Sequence, residues 1–129
     1  MADFMKPWSA QTYALMRIVV GLLFVEHGLS KLVHFPIAPP PEAPALVLYT
    51  AGPLELVCGA FITLGLWTRR AAFIASGLMA VAYFIAHFPR GFFPVANQGE
   101  LAVVYCFAFL FMSAHGAGIW SVDGIRGKG

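Results

Sequence analysis

Charge is scarce in this chain. Of its 129 residues only 11% are Asp, Glu, Lys or Arg, 60% are hydrophobic, and the mean hydropathy is +0.78. Soluble domains carry about 25% charged residues, so the deficit places the chain in a bilayer and leaves no room for a separate soluble catalytic domain. Cysteine is nearly absent as well. Cys58 and Cys106 form no Cys-x-x-Cys, and their expected helical depths differ by roughly 10 Å, which does not suit a disulfide. Both read as small buried apolar side chains, which excludes direct thiol oxidoreductase chemistry. There is no glycine-rich phosphate loop, serine nucleophile elbow or His-Glu-x-x-His motif, and the four histidines make no ligand set, so no metal is expected. A net charge of +2 is too small to suggest a nucleic-acid partner.

What the sequence does contain is apolar length. A span needs roughly 20 apolar residues, and four stretches qualify, at approximately 12–33, 45–67, 70–88 and 99–115. They use nearly the whole chain. The expected fold is all-α, a single membrane domain over residues 1–129 built as a four-transmembrane-helix bundle. The first stretch is interrupted by charges and lacks a small-residue cleavage site, so it is expected to be retained. Lys6, Arg17, Arg69, Arg70, Arg126 and Lys128 share one side of such a topology, against Lys31 and Arg90 on the other. The positive-inside rule then puts both termini in the cytoplasm and the loops after the first and third spans outside. Trp8, Trp67 and Trp120 fall at the inner interface, where indole rings prefer to lie.

Proline and glycine punctuate the spans. The loop "HFPIAPPPEAP" cannot continue a helix, because its prolines lack amide hydrogens and restrict the residues before them. Within the second span, Gly52-Pro53 frees backbone groups and predicts a kink or a break, with Glu55 in the first turn beyond it. Ala72, Ser76 and Ala80 recur every four residues in the third span and predict close packing of helix backbones. Asn97 and Glu100 stand in capping-box register for the fourth span.

The informative charges lie inside the spans. Lys31, His27 and Glu26 are expected roughly 6, 12 and 13 Å below the outer end of the first span, and Glu55 roughly 15 Å down the second. His27, Lys31 and His34 share one helix face, which should turn inward because lipid penalises ionisable groups. Tyr83, His87, Arg90, Glu100 and Tyr105 come from the outer halves of the third and fourth spans. The candidate set for an outward-opening polar pocket or proton relay is therefore Glu26, His27, Lys31, Glu55, Tyr83, His87, Glu100 and Tyr105, with His27 best suited to shuttle protons near neutral pH. Glu100 also has a structural explanation as a cap. His34, His87 and Arg90 have one as interfacial side chains, and His115 as a cation at a helix end. Arg17 and Asp123 read as anchors of the inner face.

Taken in order, "RIVVGLLFVEHGLSKL", "GPLELVCGAFITLGLWTRRAA", "LMAVAYFIAHFPRGFFPVANQGELAVVYCFAFLF" and "GAGIWSVD" resemble the DoxX family of small bacterial four-helix membrane proteins, from about Arg17 to Asp123. The family pattern touches Arg17, Gly21, His27, Gly28, Lys31, Gly52, Glu55, Gly59, Gly65, His87, Gly99, Glu100, Ser121 and Asp123. Glu26 departs from it, standing where the family carries apolar or basic residues. The family takes its name from a subunit of a thiosulfate:quinone oxidoreductase, and some bacterial relatives are linked to membrane redox complexes that respond to thiol and oxidative stress. The resemblance thus implies a redox association in a bacterial plasma membrane, with redox-enzyme subunits as partners; the chain has no cofactor motif of its own, a quinone is the one cofactor this association suggests, and membrane lipid and a homo-oligomer are the other partners considered.

Three functions compete. The first is a component of a quinone-linked or stress-related oxidoreductase system, acting as a subunit rather than a self-sufficient enzyme. The second is a non-enzymatic membrane scaffold or assembly factor, whose buried charges hold helix register. The third is a small transporter, which four spans could build only by pairing two copies.

Overall fold

In the computed structural model, which describes residues 3–129, every regular element is helical and the described residues include no strand. A 3-10 turn at Lys6–Trp8 leads into α1 (Ser9–Val33). After the proline-rich loop come α2 (Ala45–Leu64) and α3 (Thr68–Ala82). The chain then continues through a π-helical turn, Tyr83–His87, and a 3-10 turn, Phe88–Arg90. The short α4 (Pro94–Asn97) precedes α5 (Glu100–His115), and α6 (Val122–Ile125) closes the chain. Three helical runs, Lys6–Val33, Ala45–Leu64 and Thr68–Arg90, are long and apolar enough to cross a bilayer. The fourth, α5, is apolar but has 16 residues. At 1.5 Å per residue it spans about 24 Å, short of the roughly 30 Å hydrocarbon core.

Two expectations are corrected. The break at Gly52-Pro53 does not occur, because α2 is helical from Ala45 to Leu64 with Pro53 inside it. Gly52 lies against the side chains of Lys31 and Leu32, so the packing of α1 supports this turn where the proline weakens it. The capping box at α5 does not form either. Gly99 is the N-cap, without a side-chain bond, and Asn97 turns inward instead, its Oδ1 accepting from the Gly99 amide at 2.8 Å.

Helices α1 and α2 meet along a seam of glycines. A Cβ on Gly28 would lie 2.6 Å from the Leu56 amide nitrogen, and one on Gly59 2.8 Å from that of Val25. Only glycine permits this approach, which small residues favour in lipid because packing, not water exclusion, holds helices together there. Across the other seam, Ser76 on α3 donates to the Cys106 carbonyl on α5 at 2.8 Å, with Ala72 buried one turn away. The core between the seams is aromatic, with Phe24 of α1 against Tyr105 and Phe109 of α5 at 5.7 and 4.7 Å. Cys58 and Cys106 are both free. Large apolar side chains such as Leu15, Val57, Phe73 and Phe107 point outward from each long helix, as lipid contact requires.

The end that carries both termini is held by polar groups meeting backbone. Arg17, about 12 Å along α1 from Ser9, is fully buried. Its Nη1 donates to Ile62 and Thr63 carbonyls at 2.7 and 2.8 Å, and its Nη2 to Ile119 and Trp120 carbonyls at 3.3 and 2.6 Å. The first two are among the last carbonyls of α2 and lie at the negative end of its dipole, and the Ile62 oxygen also accepts the Gly65 amide at 3.2 Å. Gly65 makes room for this. It caps α2 in the left-handed region, and a Cβ there would sit 2.2 Å from that of Ser121 and 3.0 Å from Arg17 Nη1. Arg69 caps α5 in the same way through the Ser113, Ala114 and His115 carbonyls, and Tyr13 donates to the Gly116 carbonyl at 2.5 Å. His115 packs on the Tyr13 ring at 4.1 Å. Asp123, from α6, accepts from the Trp67 and Thr68 amides, each at 3.0 Å, and so caps α3 from a distant part of the chain. Burial alone would raise the Asp123 carboxyl. The Thr68 and Trp67 amides, with the Arg126 charge, outweigh burial and hold it below its ordinary value.

Candidate functional site

At the opposite end the polar groups meet one another around open space. The glycine seam brings α1 close enough to α2 for Lys31 Nζ to lie 2.7 Å from Glu55 Oε2. The pair is unequally exposed, at 21% for the lysine side chain and 4% for the glutamate. Burying two charges costs free energy that their mutual attraction offsets only with good geometry, so the short contact is what makes this placement tolerable. The lysine engages only Oε2 of the carboxylate, leaving its second oxygen free of protein partners among the described residues.

The ion pair borders a cavity of about 290 Å³. His27, Tyr105, His87 and Gln98 complete its polar lining, and Ala51 and Met79 are among its apolar lining. The Tyr105 ring is stacked on Phe109 at 5.5 Å, and His27 meets it edge-on at 5.8 Å, so the aromatic core fixes both rings from one side. Among the described residues, neither the His27 ring nor the Tyr105 hydroxyl has a protein hydrogen-bond partner. The π-helical turn carries His87, whose Nδ1 lies 3.2 Å from the Asn97 carbonyl. Such turns are rare and occur often at functional sites, because the extra residue re-aims neighbouring side chains.

Of the eight candidates, the structure brings His27, Lys31, Glu55, His87 and Tyr105 to this cavity and leaves three outside its lining. Glu26 is exposed and borders a smaller recess of about 270 Å³ on the far side of His27 and Tyr105. Glu100, also exposed, lines a larger and more open surface depression of about 450 Å³ beside α4. Tyr83 accepts a hydrogen bond from Asn97 Nδ2 at 3.1 Å and belongs to the loop framework. His34 is an exposed left-handed C-cap of α1, and Arg90 is exposed in the 3-10 turn.

Sequence reasoning missed Asn97 as the organiser of this end. It is fully buried, donates to Tyr83 Oη and to the Gly91 carbonyl, and accepts from the Gly99 amide. Its register with Glu100 pointed to a cap, and no local signal distinguishes that role from a buried node. Gln98, Ala51 and Met79 were likewise missed, since a cavity wall leaves no mark on spacing. Chemically, the set offers ammonium donors, a carboxylate acceptor, and an imidazole and a phenol that can each give or take a hydrogen bond. No three His, Cys, Asp or Glu side chains converge as a metal site among the described residues.

Comparison with known proteins agrees with this architecture. The DoxX family model matches residues 12–88, more than half of the chain. An uncharacterised protein of Haemophilus influenzae is 44% identical over 116 residues, which cover 85% of this chain and 87% of that protein. No solved structure matches. The long apolar helices, the matched family model and this relative together show that the chain belongs to the DoxX family of multi-pass membrane proteins.

Proposed function

We propose that the cavity beside Lys31 and Glu55 receives the head group of a lipophilic quinone, and that the protein is a plasma-membrane component of a quinone-linked or stress-related oxidoreductase system. In this reading α5 completes a four-span bundle, α2 bends at Pro53 around the site, both termini are cytoplasmic and the cavity opens outward. The observation that carries it is a cavity at membrane depth in which Lys31, Glu55, His27 and Tyr105 converge with unused hydrogen-bonding capacity, amid apolar lining. A planar head with carbonyl acceptors, or hydroxyl donors once reduced, matches such a set, and largely apolar walls with a few convergent polar groups are the usual form of a small-molecule site. Electron carriers are then supplied by partner subunits, since the chain has no cofactor motif of its own.

The test is mass spectrometry of the lipids and proteins that accompany gently solubilised material, wild type against Glu55→Gln. The expected result is a quinone and redox subunits with the wild type, both depleted in the variant. Bulk lipid alone in both samples would end this reading. One observation favours a second role, a scaffold, because the same ion pair ties α1 to α2 beside Gly52. Under that reading Glu55→Gln and Lys31→Met lower stability while partner proteins stay bound.

A further inference from the structure

A second space adjoins the cavity. It lies between α3 and α5, measures about 290 Å³, and has a wholly apolar surface formed by Met79, Ala80, Phe84, Ala102, Val103 and Phe107 with their neighbours. Met79 and Ala102 line both spaces and are their common wall. The groove exists because residues 80 and 102 contribute only methyl groups, whereas Phe84 and Phe107 project outward as its rims. Cys106 closes one end, where its carbonyl accepts the Ser76 hydroxyl and pins α3 to α5. Of the residues the two spaces share, Met79 has the flexible, unbranched side chain that can shift to join them.

A membrane quinone has two parts with opposite needs, a polar ring and an isoprenoid chain. A ring held between Lys31 and Tyr105 must send its chain somewhere, and on the side of His87 and Gln98 the cavity is walled by the π-helical turn and the residues between α4 and α5. The α3–α5 groove leads to lipid. We infer that this groove is a chain-binding site that holds the first isoprenoid segment of the quinone. The inference rests on the head-group reading above and adds the route by which the ligand enters and the way it is oriented. Lipid tails are as apolar as the chain, so the groove adds little hydrophobic free energy and acts by packing and direction.

The experiment is photolabelling of the full chain in lipid nanodiscs with a quinone analogue carrying a diazirine in its first isoprene unit, mapped by peptide mass spectrometry. The expected labels fall on Ala80, Val103 and Phe107, are displaced by excess short-chain quinone, and disappear in Val103→Trp, whose indole fills the groove. Retention of a quinone that has no isoprenoid chain is expected to be unchanged in that variant. Labels spread over the outer faces of α1 and α2, with retention still dependent on Glu55, would overturn the groove and leave the head-group reading standing. If retention does not depend on Glu55 at all, the head-group reading fails and the groove fails with it. The wild-type labelling pattern decides between these outcomes even if Val103→Trp does not fold.

Discussion

Two cations within the span, the buried Arg17 and the half-buried Lys31, sit on the same helix and are solved in opposite ways. Arg17 is fully enclosed and gives four hydrogen bonds to backbone carbonyls, two of them at the end of α2. Lys31 has one partner, Glu55, and faces a cavity. Guanidinium is suited to the first task, since its planar fork reaches several acceptors at once and stays charged when buried. An ammonium is suited to the second, being a compact donor with bonds to spare. Intramembrane charge is therefore not one signal but two. Where a cation's terminal donors are met by backbone, as at both terminal nitrogens of Arg17 although not at its buried Nε, the role is architectural, and where they face a cavity the group is available to a ligand.

The largest expected effect sharpens this contrast. Arg17→Met removes a charged donor from four carbonyls and should lower stability by about 3 kcal/mol or more, since buried hydrogen bonds to a charged group contribute about 1.5–3 kcal/mol each before relaxation. Thermal unfolding in nanodiscs would show it, and a change under about 1 kcal/mol would contradict the architectural role. Next comes the seam that joins the two regions. Gly28→Ala places a Cβ against the Leu56 backbone, so α1 and α2 must separate, at a cost of about 1–3 kcal/mol. The same separation should loosen the contact between Lys31 and Glu55, which reduced quinone retention in Gly28→Ala would report.

Smaller effects follow. Asp123→Ala leaves the Trp67 and Thr68 amides uncapped and should cost about 1 kcal/mol, the usual loss at a helix N-terminus. Because this carboxyl's folded pKa lies below its ordinary value of 3.8, its contribution is complete above that pH and fades as the pH falls through the lower, folded value. Acid titration of stability should therefore show a component below pH 3.8 that Asp123→Asn lacks. The smallest change in stability belongs to the cavity pair. Glu55→Gln combined with Lys31→Met should alter melting less than the sum of the single variants, since each single change strands a partner that the double change removes. If the combined losses simply add, the contact between the two side chains is energetically idle.

The charges that mattered were visible in the sequence, but not their division of labour. Spans could be found from hydropathy, and helical rise set Glu55 level with His27 and Glu26, with Lys31 roughly 9 Å nearer the outer end. Glu26 was equally eligible by depth, yet helix rotation turns it away to another recess. Glu100 and Asn97 show the reverse error, since a spacing that fits a cap locally was overridden by the burial of Asn97 among Tyr83, Gly91 and Gly99. The π-helical turn had no local signature in the sequence.

An all-helical membrane chain with its spans and its ionisable residues at matching levels follows from composition and spacing, since bilayer thickness and helical rise leave few alternatives. The meeting of Lys31 with Glu55, the four carbonyls around Arg17 and the groove beside Met79 do not. Each depends on how far a helix turns about its axis, and that is set by which glycine faces which backbone across a seam of residues far apart in the chain.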